Sequence, residues 1–191
     1  DEPFGIYADG YLEDIDKIDN KELLLHYKNL LKTSPIEIIV LGKDNETSVV
    51  EIVKRFFSIE RSQIEKIKMP KIFYSKSDIK IIKDSMDVAQ GKICIGVRCN
   101  TNYLGKSLYK LVLLNELIGG SATSILYNQI REKENLCYFI SSFVYRFKSI
   151  LFIESGVDKN NLERAAKIII DKIEGLKDYE FSKDEIKSAK K

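Results

Sequence analysis

The sequence has one histidine, His26, and that limits the chemistry it can do. A hydrolytic zinc site draws about three protein ligands from His, Glu or Cys, and the chain has no H-x-x-E-H, H-E-x-x-H or C-x-x-C run. His26 sits among Leu23, Leu24, Leu25 and Tyr27 at helical spacing, where the expectation is a packed or surface residue. Serine and cysteine nucleophiles need an adjacent base, and nothing around His26 marks it as one. Cys94, Cys99 and Cys137 have no metal-type spacing and read as buried, reduced thiols. Cys94 and Cys99 are expected on opposite faces of one strand. By itself the chain is expected to bind no zinc and to cleave nothing.

The chemistry that remains lies between Leu114 and Tyr138, in the run LNELIGGSATSILYNQIREKENLCY. Gly119 and Gly120 permit a sharp change of direction between two helices. Ser121 or Thr123 can cap the second helix, and Asn135 stands where that helix should end, in a left-handed conformation that Asn tolerates. This spacing predicts Arg131 near the end of the helix and Tyr138 at the start of a strand, close together across the turn. A guanidinium beside a phenol offers hydrogen-bond donors to a substrate carbonyl or a developing oxyanion. Equally, Arg131 can pair with a nearby carboxylate while Tyr138 packs at a strand end. Spacing leaves both open.

The elements that must position these residues follow from periodicity. Asp19 has the layout of an N-cap with Glu22 at the third helical position, and Leu23, Leu24, Tyr27, Leu30 and Leu31 carry the helix to Ser34-Pro35. The β-branched run Ile36 to Leu41, closed by Gly42, reads as a buried strand. A helix carrying Val49, Val50, Ile52, Val53, Phe56 and Phe57 follows. Residues 58–78 turn polar and read as a linker. Strands are expected at Ile79 to Lys83 and at Lys92 to Arg98, where Ile93, Ile95 and Val97 alternate with more polar neighbours. Leu104 to Ile118 is apolar enough to be a buried helix, broken by Gly119-Gly120. Cys137 to Phe147 and Ile150 to Gly156 form a hairpin about Lys148-Ser149. A helix capped by Asp158 carries Leu162, Ala165, Ala166, Ile169, Ile173 and Leu176, and a last one opens near Phe181. Antiparallel hairpins beside paired helices indicate an α+β fold, an antiparallel sheet with helices packed on one face.

Composition narrows the function classes. Thirty-one basic and 29 acidic residues leave a formal charge of +2 with no long single-sign block, so no nucleic-acid surface and no polybasic membrane patch is expected. No apolar run approaches the length of about 18 residues needed to span a membrane. The chain reads as cytoplasmic, cut at both ends from something longer.

The Leu114–Tyr138 run resembles the signature of the second, non-catalytic half of pitrilysin/insulinase-type zinc metallopeptidases. There an apolar helix ends in a Leu-Gly-Gly-Gly-like turn, followed by Ser-Arg-Leu-Phe and Ile-Arg-Glu-Lys-x-Gly-Leu-Ala-Tyr. The likeness rests on Leu114, Asn115, Gly119, Gly120, Ser124, Leu126, Ile130, Arg131, Glu132, Lys133, Leu136 and Tyr138, continued by Ser141, Ser142 and Ile153 to Gly156. Residues 3–57 resemble the end of the first half. Ser121 replaces a third glycine, Ile125 stands where Arg is common, Asn135 replaces Gly, and Asp1-Glu-Pro-Phe-Gly stands where active members often have His-Pro-Tyr or His-Pro-Phe.

The resemblance implies that residues 1–57 end the zinc-binding half, that 58–78 link, and that 79–191 form most of the second half. The parent protein would hydrolyse peptide bonds with zinc held by H-x-x-E-H in its first half. Arg131 and Tyr138 would be the auxiliary residues that reach the substrate and the oxyanion, and this part would wall the chamber. This part itself holds no cofactor. Implied partners are the peptide, the other half-domain, and a homo- or heterodimeric related peptidase. The alternative is a catalytically inactive member that scaffolds or partners an active peptidase.

Overall fold

Asp19 ends the lead-in by accepting hydrogen bonds at Oδ1 from the Lys21 and Glu22 amides, both at 2.8 Å. This satisfies two of the donors that a helix start leaves open. The computed structural model describes residues 3–73 and 78–190. They divide into two units, Asp1–Met69 and Pro70–Lys191. The boundary falls within the stretch 58–78 that reads as a linker, of which residues 74–77 lie outside the described residues.

The first unit holds α1 (Leu12–Ile15), α2 (Asn20–Thr33) and α3 (Glu46–Phe56). Helix α2 stops before Pro35, and the Arg61 guanidinium donates to the carbonyls of Leu31 and Ser34 at its end, a cation where the helix dipole favours one. Lys32 and Glu60 add an ion pair at 3.5 Å. None of the three helices buries a residue. The strand expected at Ile36 to Leu41 does not form, and Leu41 is 99% exposed. An extended run becomes a strand only with a neighbour to receive its ladder hydrogen bonds, and among the described residues of this unit no strand stands beside it.

In the second unit, β1 (Gly91–Arg98) is followed by α4 (Ser107–Asn115), a π turn over Glu116–Gly120 and a second π turn over Tyr127–Lys133. Next come β2 (Cys137–Tyr145), β3 (Ile150–Val157), α5 (Leu162–Glu174) and α6 (Lys183–Ala189). The sheet is antiparallel throughout in the order β1-β3-β2, with Ile95 and Ser142 flanking Ile153. The hairpin closes through a 3₁₀ turn at Arg146–Lys148 and Ser149, whose φ of 53° is left-handed. Buried Ser149 holds the crossing by accepting at Oγ from the Thr101 amide at 2.6 Å.

One face of the sheet carries the core. Ile93, Ile140, Leu151, Ile153 and Val157 meet Ile118, Leu126 and Ile130 of the π-turn region and Ala165 and Ile169 of α5. The other face bears Lys92, Cys94, Arg98, Phe139, Ser141 and Tyr145, all exposed. This is the expected α+β arrangement, an antiparallel sheet with helices on one face.

Four details depart from the periodicity. Residues 79–83 are exposed and form no strand. The Leu104–Ile118 segment is not buried throughout: α4 begins only at Ser107, so Leu104 precedes it at 77% exposure, and Tyr109 stands on the outer face of α4 at 76%. Asp158 caps a 3₁₀ turn at Lys159–Asn161 that leads into α5, instead of α5 itself. Cys137 is buried and Cys99 half-buried, but Cys94 is exposed, since its strand position faces away from the core; all three thiols are free. At α6, Ser182 and Glu185 form a reciprocal capping box, and Tyr179 donates to Glu185 at 2.8 Å. The Ser182 hydrogen bonds, then that of Tyr179, hold the Glu185 carboxyl below the usual carboxylate range.

Candidate functional site

Asn115 and Ser142 anchor the approach to the site. Both are buried; the Ser142 hydroxyl donates to Asn115 Oδ1 at 2.9 Å, which ties the end of α4 to the middle of β2. Gly119 lies against this pair. A Cβ there would meet Ser142 Oγ at 2.7 Å and its backbone nitrogen at 3.2 Å. At Gly120 a Cβ would meet Asn115 Nδ2 at 2.7 Å. The two glycines therefore do not break the helix, as their type suggests, but carry it onward as a π turn pressed onto β2. The corner comes one step later, at Ser121 to Ser124.

The second helical segment is also capped differently from expectation. Ser124 accepts from the Tyr127 amide at 3.4 Å, a cap reaching three residues ahead, while Ser121 and Thr123 hydroxyls lie 3.2 Å apart in the loop. Its far end matches the sequence. Asn135 has φ 48°, and the Leu136 amide reaches back six residues to the Ile130 carbonyl at 3.0 Å, a left-handed stop like the Schellman motif but one residue wider, as the π winding requires.

That stop leaves Arg131 exposed in the last turn. Its Nη1 donates to the Tyr127 hydroxyl at 2.9 Å, and the guanidinium carbon lies 5.0 Å from the centre of the Tyr127 ring. Tyr138 follows at the start of β2. Cys137 faces Val157 and Phe139 faces Gly156, so Tyr138 is the extra residue of a β-bulge. Bulges re-aim side chains, and here Tyr138 and Phe139 both turn outward, Tyr138 at 57% exposure. The Phe139 ring lies where a Cβ on Gly156 would stand, which explains a glycine in mid-strand. Burial pushes the Cys137 thiol up, while the Ser155 hydroxyl and the Arg131 charge pull it down.

The short path from Arg131 through Asn135 to Tyr138 thus presents two exposed donors. Among the described residues no hydrogen bond joins Arg131 to Tyr138; the partner of Arg131 is Tyr127, which the sequence reading did not single out. The i,i+4 spacing of Tyr127 and Arg131 was the available signal. Neither a nucleophile–base pair nor a metal-binding group of three His, Cys, Asp or Glu occurs here among the described residues. His26 lies exposed on α2 of the first unit. No helix among the described residues is long and apolar enough to cross a membrane.

The description "Peptidase M16 inactive domain" matches residues 17–191. The chain is 28% identical over 189 residues to "Probable inactive metalloprotease YmfF" of Bacillus subtilis (strain 168), covering 99% of this chain and 44% of that one. Among solved structures, a conserved protein from Enterococcus faecalis V583 superposes with a TM-score of 0.76 at 24% identity, over 97% of this chain and 43% of that one. A peptidase M16 inactive domain from Pseudomonas fluorescens gives 0.68 at 19% identity, over 98% and 46%. The chain spans less than half the length of each. With the match running through nearly all of its residues, the chain belongs to the peptidase M16 inactive-domain family, of the pitrilysin/insulinase type.

Proposed function

We propose that this chain is a non-catalytic wall of a peptide-holding chamber in a larger, cytoplasmic peptidase-like protein, and that Arg131 and Tyr138 touch the peptide. The observation that supports it is the local backbone: a left-handed stop at Asn135 and a bulge at Tyr138 each turn a donor outward within eight residues of chain. Arg131 offers a guanidinium to a peptide carbonyl, and Tyr138 a phenol to the oxygen on which negative charge develops. Zinc, where the whole protein carries it, polarises a carbonyl and activates water. The described residues do not fit it, since they offer no donor set, and no step here runs through it. Domain limits of 1–57, 58–78 and 79–191 complete the proposal, as does an association with the other half-domain or with a related peptidase.

The test uses the full-length protein and a fluorogenic peptide. Tyr138→Phe is expected to lower kcat by about 100-fold, the usual cost of an oxyanion donor, with KM changed less than about twofold. An unchanged turnover number rejects the oxyanion role.

A second reading, an inactive member that holds the chamber's shape for an active partner, is favoured by the likeness to a relative named as a probable inactive metalloprotease. It requires that purified full-length protein contain no stoichiometric zinc and cleave no peptide, yet co-purify with a related peptidase and raise its activity.

A further inference from the structure

We propose that Tyr127 is the positioning residue for Arg131, pinning its guanidinium over a half-buried ring that packs against the core so that its unused N–H groups face an incoming peptide as a preset fork. This rests on the peptide-contacting role given to Arg131 above. Four observations carry it. First, the Tyr127 ring is half-buried and packed against the core cluster, so its hydroxyl is a fixed point. Second, Arg131 both donates to that hydroxyl at 2.9 Å and lies over the ring at 5.0 Å. A hydrogen bond and a cation–π contact together restrain a long side chain before the ligand arrives, so less rotamer entropy is lost when the ligand binds.

Third, Tyr127 and Arg131 lie four residues apart in one helical segment, Tyr127–Lys133, a spacing that puts both side chains on the same face. Fourth, the acceptor is neutral. The nearby Glu134 is committed to Arg164 at 2.9 Å, and among the described residues no carboxylate forms an ion pair with Arg131. A carboxylate partner would orient the guanidinium and also neutralise it; a phenol orients it and leaves the positive charge for the ligand. One of the five guanidinium donors is used, and the rest suit a peptide carbonyl or a terminal carboxylate.

The experiment is a double-mutant cycle in the full-length protein, with binding of a fluorescein-labelled, unstructured 12-residue peptide as the readout. Tyr127→Phe keeps the ring and removes only the hydroxyl. It is expected to weaken binding by about 3- to 10-fold when Arg131 is present and by less than about 1.5-fold in the Arg131→Ala background. Equal weakening in both backgrounds would show a packing role and overturn the proposal. So would unchanged or tighter binding by Tyr127→Phe while Arg131→Ala weakens it; tighter binding would mean that Tyr127 withholds the guanidinium. In that case the peptide role of Arg131 stands. If Arg131→Ala leaves binding unchanged, the peptide role of Arg131 fails and the positioning role falls with it.

Discussion

Gly119 shows how little freedom the residues around the site have. The π turn that contains it approaches β2 so closely that one methyl group would strike Ser142 Oγ at 2.7 Å and Cβ at 3.0 Å. That hydroxyl cannot swing aside without leaving the buried Asn115 side chain short of its partner, a loss of about 1–3 kcal/mol. Gly119→Ala is therefore expected to destabilise the second unit by about 1–3 kcal/mol, read as a lower urea midpoint at unchanged slope. Gly175 is the control. A Cβ there meets nothing within 4 Å and its φ of −70° is helical, so Gly175→Ala should be neutral or stabilise by up to about 1 kcal/mol through the unfolded state. If both alanines behave alike, close packing is not why Gly119 is a glycine.

At the scale of elements, the site depends on how one helix stops and one strand starts. Asn135 pays a conformational cost at φ 48° so that the Leu136 amide can close on Ile130 and the chain can turn at once into β2. Asn135→Gly should leave stability within a few tenths of a kcal/mol or improve it, because glycine enters this region freely. Asn135→Val should cost about 1–2 kcal/mol, since a β-branched residue cannot enter it without strain. Thermal unfolding of the two variants compares them directly, and equal midpoints would show that the left-handed stop does not set the turn. The bulge at Tyr138 is the matching irregularity on the strand side. Without the extra residue, strict alternation would send Tyr138 and Phe139 to opposite faces; with it, both face outward beside the end of the π turn.

Over the whole molecule, the two units differ in what protects them. The second has a core of side chains at or near zero exposure, among them Ile130, Ile153, Val157, Ala165 and Ile169. The described helices of the first bury none, and Leu23, Leu24, Leu25 and Leu30 are exposed. Local opening follows the density of buried apolar contacts. In hydrogen exchange on this chain, amides of α2 and α3 should therefore exchange well before those of β3 and α5. Equal protection in the two units would contradict a stability concentrated in residues 70–191.

Much of this was legible in the residues themselves. The alternation of Ile93, Ile95 and Val97 set β1, the apolar period from Leu162 to Ile173 set α5, and Asp19, Asn135 and the Lys148-Ser149 connection marked where elements begin and end. These are local properties, and local chemistry decides them. The order Leu114 to Tyr138 likewise carried the family. Contacts between distant segments were decided only by the tertiary structure. Glycine's type cannot distinguish a turn from a close approach, so the role of Gly119 depended on where Ser142 came to lie. A β-branched run such as Ile36 to Leu41 is a strand only if another strand lies alongside. The buried hydrogen bond from Ser142 to Asn115 joins residues 27 apart, and the chain's order does not supply it, because hydrogen bonds are fixed by distance in space and not by distance along the chain.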